Sequence, residues 1–166
     1  MSLYDVAVPT FKRTLTSLDA ILTKAEAHAA ANKIDPAVLV NARLYPDMHP
    51  LKRQVQIATD SAKRGAGLLA GVDIPVFEDN EETFKQLHAR IKKTISFLNK
   101  LKKSQFEDAE TKTITLPLGG TSMKFDGTTF LMSFAMPNFS FHVVTAYNIL
   151  RHNGVQIGKR DYLGAA

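Results

Sequence analysis

Two polar side chains in the most apolar part of the chain, Asn138 and His142, are candidates for ligand binding or catalysis. They are four residues apart, so on a helix they lie on one face, one turn from each other. His49 lies at the opening turn of a second predicted helix and could reach the same end of a helical bundle. Sites in such bundles are built from inward-pointing side chains on facing helices. The residues therefore predict a polar pocket whose candidates are His49, Asn138, His142, Gln54, Asp47 and Tyr147.

The same residues allow two interpretations of the pocket. Imidazole nitrogens bind Zn²⁺ and Ni²⁺, so His49 and His142 could hold a divalent metal, with a third ligand from Asp47 or Gln54. The other interpretation is a buried histidine whose nitrogens are satisfied by hydrogen bonds to Asn, Gln or Tyr side chains. From the residues alone we favour the second, because imidazole buries readily once it is hydrogen-bonded.

The elements that must position these residues follow from the apolar periodicity. Apolar residues recur at three- and four-residue spacing over residues 4–29, 48–69 and 84–98, which predicts three amphipathic helices. We expect Asp79 to cap the third helix, with Glu82 three residues on as its capping-box partner.

The period changes between residues 111 and 126. Two short alternating runs flank Gly119-Gly120, which predicts a β-hairpin, and Pro117 makes one of its strands an edge. A fourth helix is expected over about residues 128–153, kinked near Pro137. Residues 127–150 carry no charge, but their polar interruptions favour the most buried helix of a bundle over a membrane span.

These elements predict an all-α, four-helix bundle with a small β-hairpin between the third and fourth helices. We expect up-down-up-down connectivity and a single domain over residues 1–166. No period is evident over residues 155–166, so no element is predicted there.

Composition excludes several classes of function. There is no cysteine among the 166 residues, which excludes disulfide scaffolds, thiolate metal sites and cysteine nucleophiles. The net charge of +5 is mild, and the basic residues lack interleaved aromatics, so we expect no nucleic-acid partner. The first eleven residues lack the pattern of a signal peptide, so we expect a cytoplasmic protein without a membrane partner.

Several motifs resemble an uncharacterised domain-of-unknown-function family. That family is similar to the DinB/YfiT-like superfamily of four-helix bundles, whose members include thiol-dependent transferases and hydrolases. The resemblance implies the fold strongly and the function weakly. Its motifs are residues 44–48 with Gln54, Arg90-Ile91, residues 137–142, Thr145-Ala146-Tyr147 and residues 150–155.

The site that this resemblance implies has one histidine from the second helix and an H-x-x-x-H pair from the fourth. His142 matches the second histidine of the pair, Asn138 stands where the first would be, and His49 lies near the second-helix position. An asparagine carbonyl is a poorer ligand for Zn²⁺ or Ni²⁺ than imidazole, so this trio should bind a metal weakly.

Three functions follow from these expectations. The first is a small-molecule-binding bundle with a degenerate DinB-like site and no tightly held metal. The second is a metal-dependent transferase or hydrolase that uses His49 and His142 as ligands. The third is a structural or partner-binding protein, and for all three we expect a homodimer.

Overall fold

Four long helical stretches form the body of the molecule within residues 2–164, the part of the chain that the computed structural model describes. The fourth stretch is composite, because a π-helical segment separates a short helix from a long one. In chain order the elements are α1 (Leu3–Ala31), α2 (Pro36–Asn41), α3 (Leu51–Ala70), α4 (Phe84–Lys100), a 3-10 turn (Lys103–Phe106), β1 (Ile114–Leu118), β2 (Thr121–Phe125), α5 (Gly127–Thr129), the π-helical segment (Phe130–Ala135), α6 (Met136–His152) and α7 (Lys159–Leu163).

The predicted hairpin is confirmed. Strands β1 and β2 pair antiparallel, in a register that runs from Ile114 opposite Phe125 to the turn. Gly119 and Gly120 both have positive φ, at 53° and 91°, as a tight two-residue hairpin turn requires. The hairpin is joined to the core, since Ile114 and Leu116 on one face of β1 are buried.

The predicted cap of the third long helix is wrong. Thr83, not Asp79, precedes α4, and its hydroxyl accepts a hydrogen bond from the backbone N–H of Gln86. The Thr83 backbone N–H in turn donates to the Gln86 Oε1 at 3.0 Å, which completes a capping box. Asp79 is instead drawn into an ion pair with buried Arg90 at 2.9 Å.

Arg90 is the centre of a buried charged network that fixes the loop before α4. Its guanidinium lies 3.0 Å from Asp60 on α3 and 3.1 Å from Glu81 in the loop. Its Nε donates to the Thr59 hydroxyl at 2.7 Å. Because a buried guanidinium needs both charge compensation and hydrogen bonds, the network fastens α4 and its preceding loop to α3.

Two short helices lie outside the sequence predictions. Asp35, whose side chain accepts from the Ala37 N–H, caps α2, and Pro36 occupies its first position. The second is α7, which follows Gly158 near the end of the chain and packs against α1. Neither helix reaches seven residues, which is too short for an apolar period to appear in the sequence.

The core lies between the long helices. Helix α3 contacts both α4 and α6, and α1 contacts α3, α4 and α6. The face of α6 that packs into the core includes Phe139, Val143, Ala146, Ile149 and Leu150, as expected for a buried helix. Among residues 2–164, no helix combines the length and the apolar character needed to cross a membrane. The predicted up-down-up-down order is wrong, because it would make the second and fourth long stretches parallel. Gln54 bonds His142 and Ser61 bonds Asn138, so α3 and α6 run antiparallel.

Candidate functional site

His142 on α6 faces Gln54 on α3 across the most closely packed pair of helices. The His142 Nδ1 lies 2.7 Å from the Gln54 Oε1, and the Gln54 Nε2 donates to the His49 backbone carbonyl at 3.0 Å. The second bond orients the Gln54 amide, so its oxygen faces the imidazole. An amide oxygen only accepts, and Nδ1 therefore carries the proton in neutral His142.

The environment of His142 favours that neutral form. Burial lowers the pKa of His142 below its ordinary value of 6.5, and the nearby charges of His49 and Arg53 lower it further. The residue as a whole is only 9% exposed. At neutral pH the ring consequently presents an unprotonated Nε2 with its lone pair available.

The Nε2 of His142 keeps some contact with solvent, although the residue is largely buried. It bonds no other residue in the described range 2–164, and no fully buried side-chain nitrogen or oxygen there lacks a partner. An accessible, unprotonated imidazole nitrogen whose other nitrogen donates to a fixed oxygen can accept a proton, a hydrogen bond or a metal bond.

Asn138 lies one helical turn before His142 and makes a separate contact with α3. Its Nδ2 donates to the Ser61 hydroxyl at 2.8 Å. From Gln54 to Ser61 the residue number on α3 rises, whereas the bonded partner on α6 goes from His142 back to Asn138. The helices α3 and α6 therefore run antiparallel here. The two pairs form a polar seam between the helices.

A pocket of about 260 Å³ opens beside the Asn138 end of this seam. It lies between α3, β1 and the π-helical segment, and its walls combine charged, polar and apolar side chains. The lining residues are Arg53, Ile57, Asp60, Ser61, Arg64, Gly65, Leu68, Leu116, Pro117, Phe130, Phe134, Ala135 and Asn138. The volume is slightly below that of pockets for drug-sized ligands, and suits a smaller molecule.

The π-helical segment shapes one wall of the pocket, and Pro137 explains its position. Proline has no N–H and its ring crowds the carbonyl four residues earlier, so a regular α-helix cannot continue smoothly through it. The wider turn over Phe130–Ala135 ends two residues before Pro137, and its Phe130 and Phe134 line the pocket. The kink expected near Pro137 thus takes the form of a π-helical turn.

Close approach of the opposite wall depends on a glycine of α3. A Cβ on Gly65 would lie 3.1 Å from the Phe11 ring and 3.3 Å from the Ala135 Cβ. The absence of a side chain therefore lets α3 pack directly against α1 and the π-helical segment.

The structure brings together some of the predicted site residues and separates others. His49, Gln54 and His142 are neighbours, and Asn138 lies one turn away at the pocket. Asp47 is exposed and makes no hydrogen bond or ion pair with residues 2–164. Tyr147 faces the tail of the chain, where its hydroxyl donates to the Ile157 carbonyl at 3.5 Å.

Four polar residues at the pocket were missed by the sequence analysis: Arg53, Asp60, Ser61 and Arg64. The signal was present, because residues 53, 57, 61, 64 and 68 of α3 recur at three- and four-residue spacing. This polar pattern was overlooked because an apolar pattern with the same spacing lies on the neighbouring face of α3.

The donor set fits a tightly held metal poorly. His142 offers Nε2, but the Gln54 amide oxygen is engaged by His142 and the Asn138 amide by Ser61. Within residues 2–164, no group of three or more His, Cys, Asp or Glu side chains is placed to hold an ion. The two imidazoles fall short of the three nitrogen ligands that a catalytic zinc site usually has.

Comparisons with known proteins agree with the fold. A family model described as a domain of unknown function, DUF1993, matches residues 3–163. The crystal structure of a DinB family member protein from Shewanella denitrificans is 43% identical, with a TM-score of 0.94 over 99% of this chain and 93% of that chain. No curated protein matches. The resemblance drawn from the sequence motifs is thereby confirmed.

Proposed function

Since the chain belongs to the DUF1993 family of domains of unknown function, we propose that it binds a small molecule in the pocket between α3 and the π-helical segment. One observation carries the proposal. Asn138, at the position where the resemblance would place a metal-binding histidine, lines a pocket of about 260 Å³ and hydrogen-bonds Ser61 on its wall.

The composition of the pocket wall supports an organic ligand. Binding sites for small molecules are concave, largely apolar and supplied with a few polar groups that fix orientation. Here Phe130, Phe134 and Leu116 provide apolar surface, while Ser61 and Asn138 provide hydrogen-bonding groups. A ligand that extends along α6 past Asn138 would meet the unprotonated Nε2 of His142 one turn further on.

A pocket-filling substitution tests the proposal. Ile57 lines the pocket from α3 and is half-buried, so Ile57→Trp should occupy the space with an indole ring. Val38→Trp adds the same ring on the exposed surface of α2, outside the pocket, and is the matched control. Backbone amide spectra recorded by NMR with a set of small anionic, neutral and cationic compounds provide the measurement.

We expect at least one compound to shift the amide signals of pocket residues in the wild-type protein and in Val38→Trp. The same shifts should be absent in Ile57→Trp. The proposal fails if no compound shifts these signals, or if Ile57→Trp binds as the wild type does.

His142 favours a second candidate, a metal-dependent transferase or hydrolase. Its Nδ1–H is held by Gln54 and its Nε2 is free, which is the arrangement of many metal-binding histidines. A divalent ion such as Zn²⁺ or Ni²⁺ on His142 and His49 would lower the pKa of a bound water or thiol. The weaker ligand set described above makes this the second choice.

Metal content separates the two candidates. Elemental mass spectrometry on protein purified without an affinity tag or a metal column should find well below about one ion per chain. If about one ion per chain is present and is lost in His142→Ala, the metal-dependent function replaces the first proposal.

A further inference from the structure

The pocket between α3 and the π-helical segment has a surplus of positive charge. Arg53, Asp60 and Arg64 are its charged lining residues. Arg53 pairs with Asp79, and Asp60 is held by two buried cations at 2.9 and 3.0 Å. Arg64 is exposed and has no ion pair or hydrogen bond with any residue between 2 and 164. One guanidinium therefore remains uncompensated at the pocket.

Hydrogen-bond donors converge beside that charge. Ser61 and Arg64 are three residues apart on α3, so both side chains lie on the same face. The Ser61 oxygen accepts from Asn138, which leaves the Ser61 O–H free to donate. A guanidinium fork with a neighbouring hydroxyl suits a carboxylate, whose two oxygens accept in one plane.

The remainder of the pocket suits an aromatic body. The rings of Phe130 and Phe134 are stacked, with centroids 6.1 Å apart and planes 22° from parallel. Phe125 supports Phe134 at 5.8 Å, and Leu116 of the hairpin lines the same space. A planar ring against such a cluster gains both buried apolar area and favourable ring–ring contacts.

We propose that this pocket binds a small aromatic monocarboxylate, with its carboxylate at Arg64 and Ser61 and its ring against Phe130 and Phe134. This inference rests on the proposed function and names its ligand class. A phosphate ester suits the pocket less well, because it carries close to two negative charges. Only one cation there is unpaired, and the carboxylate of Asp60 faces the same space.

A set of matched probes tests the ligand class. Phenylacetate, phenylacetamide and phenethylamine share one body and differ in charge, and benzylphosphonate supplies a dianionic head. Dissociation constants come from NMR titrations of the wild type, Arg64→Gln and Arg13→Gln. Arg13 is an exposed arginine of α1 outside this pocket, so its variant is a control for net charge alone.

We expect phenylacetate to bind roughly tenfold or more tightly than phenylacetamide, and more tightly than the amine or the phosphonate. Arg64→Gln should weaken the binding of phenylacetate by about tenfold and leave the affinity for phenylacetamide unchanged. Arg13→Gln should change neither affinity. Because Arg64 is exposed and unpaired, its variant should keep the wild-type circular dichroism spectrum.

Other results overturn the inference in separable ways. If phenylacetate and phenylacetamide bind equally, or if Arg64→Gln has no effect, the inference that the ligand is an anion is wrong. The proposal of a small-molecule pocket is unaffected by that result. If benzylphosphonate binds most tightly of the four probes, the inference that the ligand carries a single negative charge is wrong. If none of the four probes binds while another compound shifts the pocket signals, the inference fails and the proposed function survives. If Ile57→Trp does not alter the binding of any compound, the pocket itself is wrong.

Discussion

His142 shows how one hydrogen bond can set the chemistry of a side chain. Gln54 could accept or donate through its amide, but its bond to the His49 carbonyl fixes the oxygen towards Nδ1. That bond selects the tautomer, and burial selects the neutral form. The residue therefore presents a lone pair rather than a charge to solvent.

The lowered pKa of His142 predicts a pH-dependent stability. The unfolded chain binds a proton at His142 more readily than the folded chain, so stability rises with pH across the interval between the two pKa values. The contribution is complete above the ordinary value of 6.5 and is lost as pH falls towards the folded-state value. The wild type should consequently lose more stability than His142→Gln between about pH 7.5 and about pH 5.5.

Urea midpoints measured at both pH values check this prediction. His152→Gln is the control, because His152 is exposed at the end of the same helix. We expect it to keep the wild-type difference between the two midpoints. An identical pH difference in the wild type and His142→Gln would contradict the assigned burial effect.

Elements in this fold are joined by charge as well as by apolar packing. The loop between α3 and α4 has few buried apolar groups, and the Arg90 network fixes it. Phe77 lies under the Lys63 ammonium at 3.7 Å, and Glu81 bonds both Arg90 and Gln56. The network therefore joins α3, α4 and the loop between them.

Arg90→Leu should destabilise the protein by about 3–5 kcal/mol. The substitution removes the cation that pairs with buried Glu81 and leaves that carboxylate without an ion pair. The other two carboxylates of the network keep Lys63 and Arg53 as partners. Lys93→Ala, on the exposed face of the same helix, should change stability by less than about 0.5 kcal/mol. Urea denaturation of both variants provides the free energies, and a loss below about 1 kcal/mol for Arg90→Leu would contradict the structural role of the network.

At the scale of the whole molecule, one apolar core runs through the long helices, the hairpin and the chain after α6. Its members range from Leu3 in α1 to Ile157 before α7. A continuous core favours one cooperative unit, as the single-domain prediction from chain length also requires.

Thermal unfolding should accordingly give one transition, with coincident curves from far-ultraviolet and near-ultraviolet circular dichroism. Repeating the experiment over about a hundredfold range of protein concentration tests the homodimer, whose midpoint should rise with concentration. Separate transitions for the two probes would contradict the single domain. A midpoint independent of concentration, together with a monomeric mass in sedimentation, would contradict the homodimer.

The sequence was most informative where local rules act alone. Periodicity predicted the long helices because each must bury one face, and Gly119-Gly120 predicted the hairpin because only such residues readily adopt its turn. The cap of α4 was mispredicted because Asp79 satisfies the same local rule as Thr83. In the structure Thr83 caps the helix, and Asp79 pairs with buried Arg90.

For the site, the sequence by itself determined the candidate types on α6, Asn138 and His142, and their spacing. Tertiary structure decided their partners, Ser61 and Gln54, and it decided that Tyr147 faces the tail. It also decided that Arg64 has no partner among the described residues, while Arg53 and Arg90 are in ion pairs. The physical reason is that helical spacing sets which side chains share a face, whereas burial, tautomer and charge compensation depend on groups that the chain brings together from far apart in sequence.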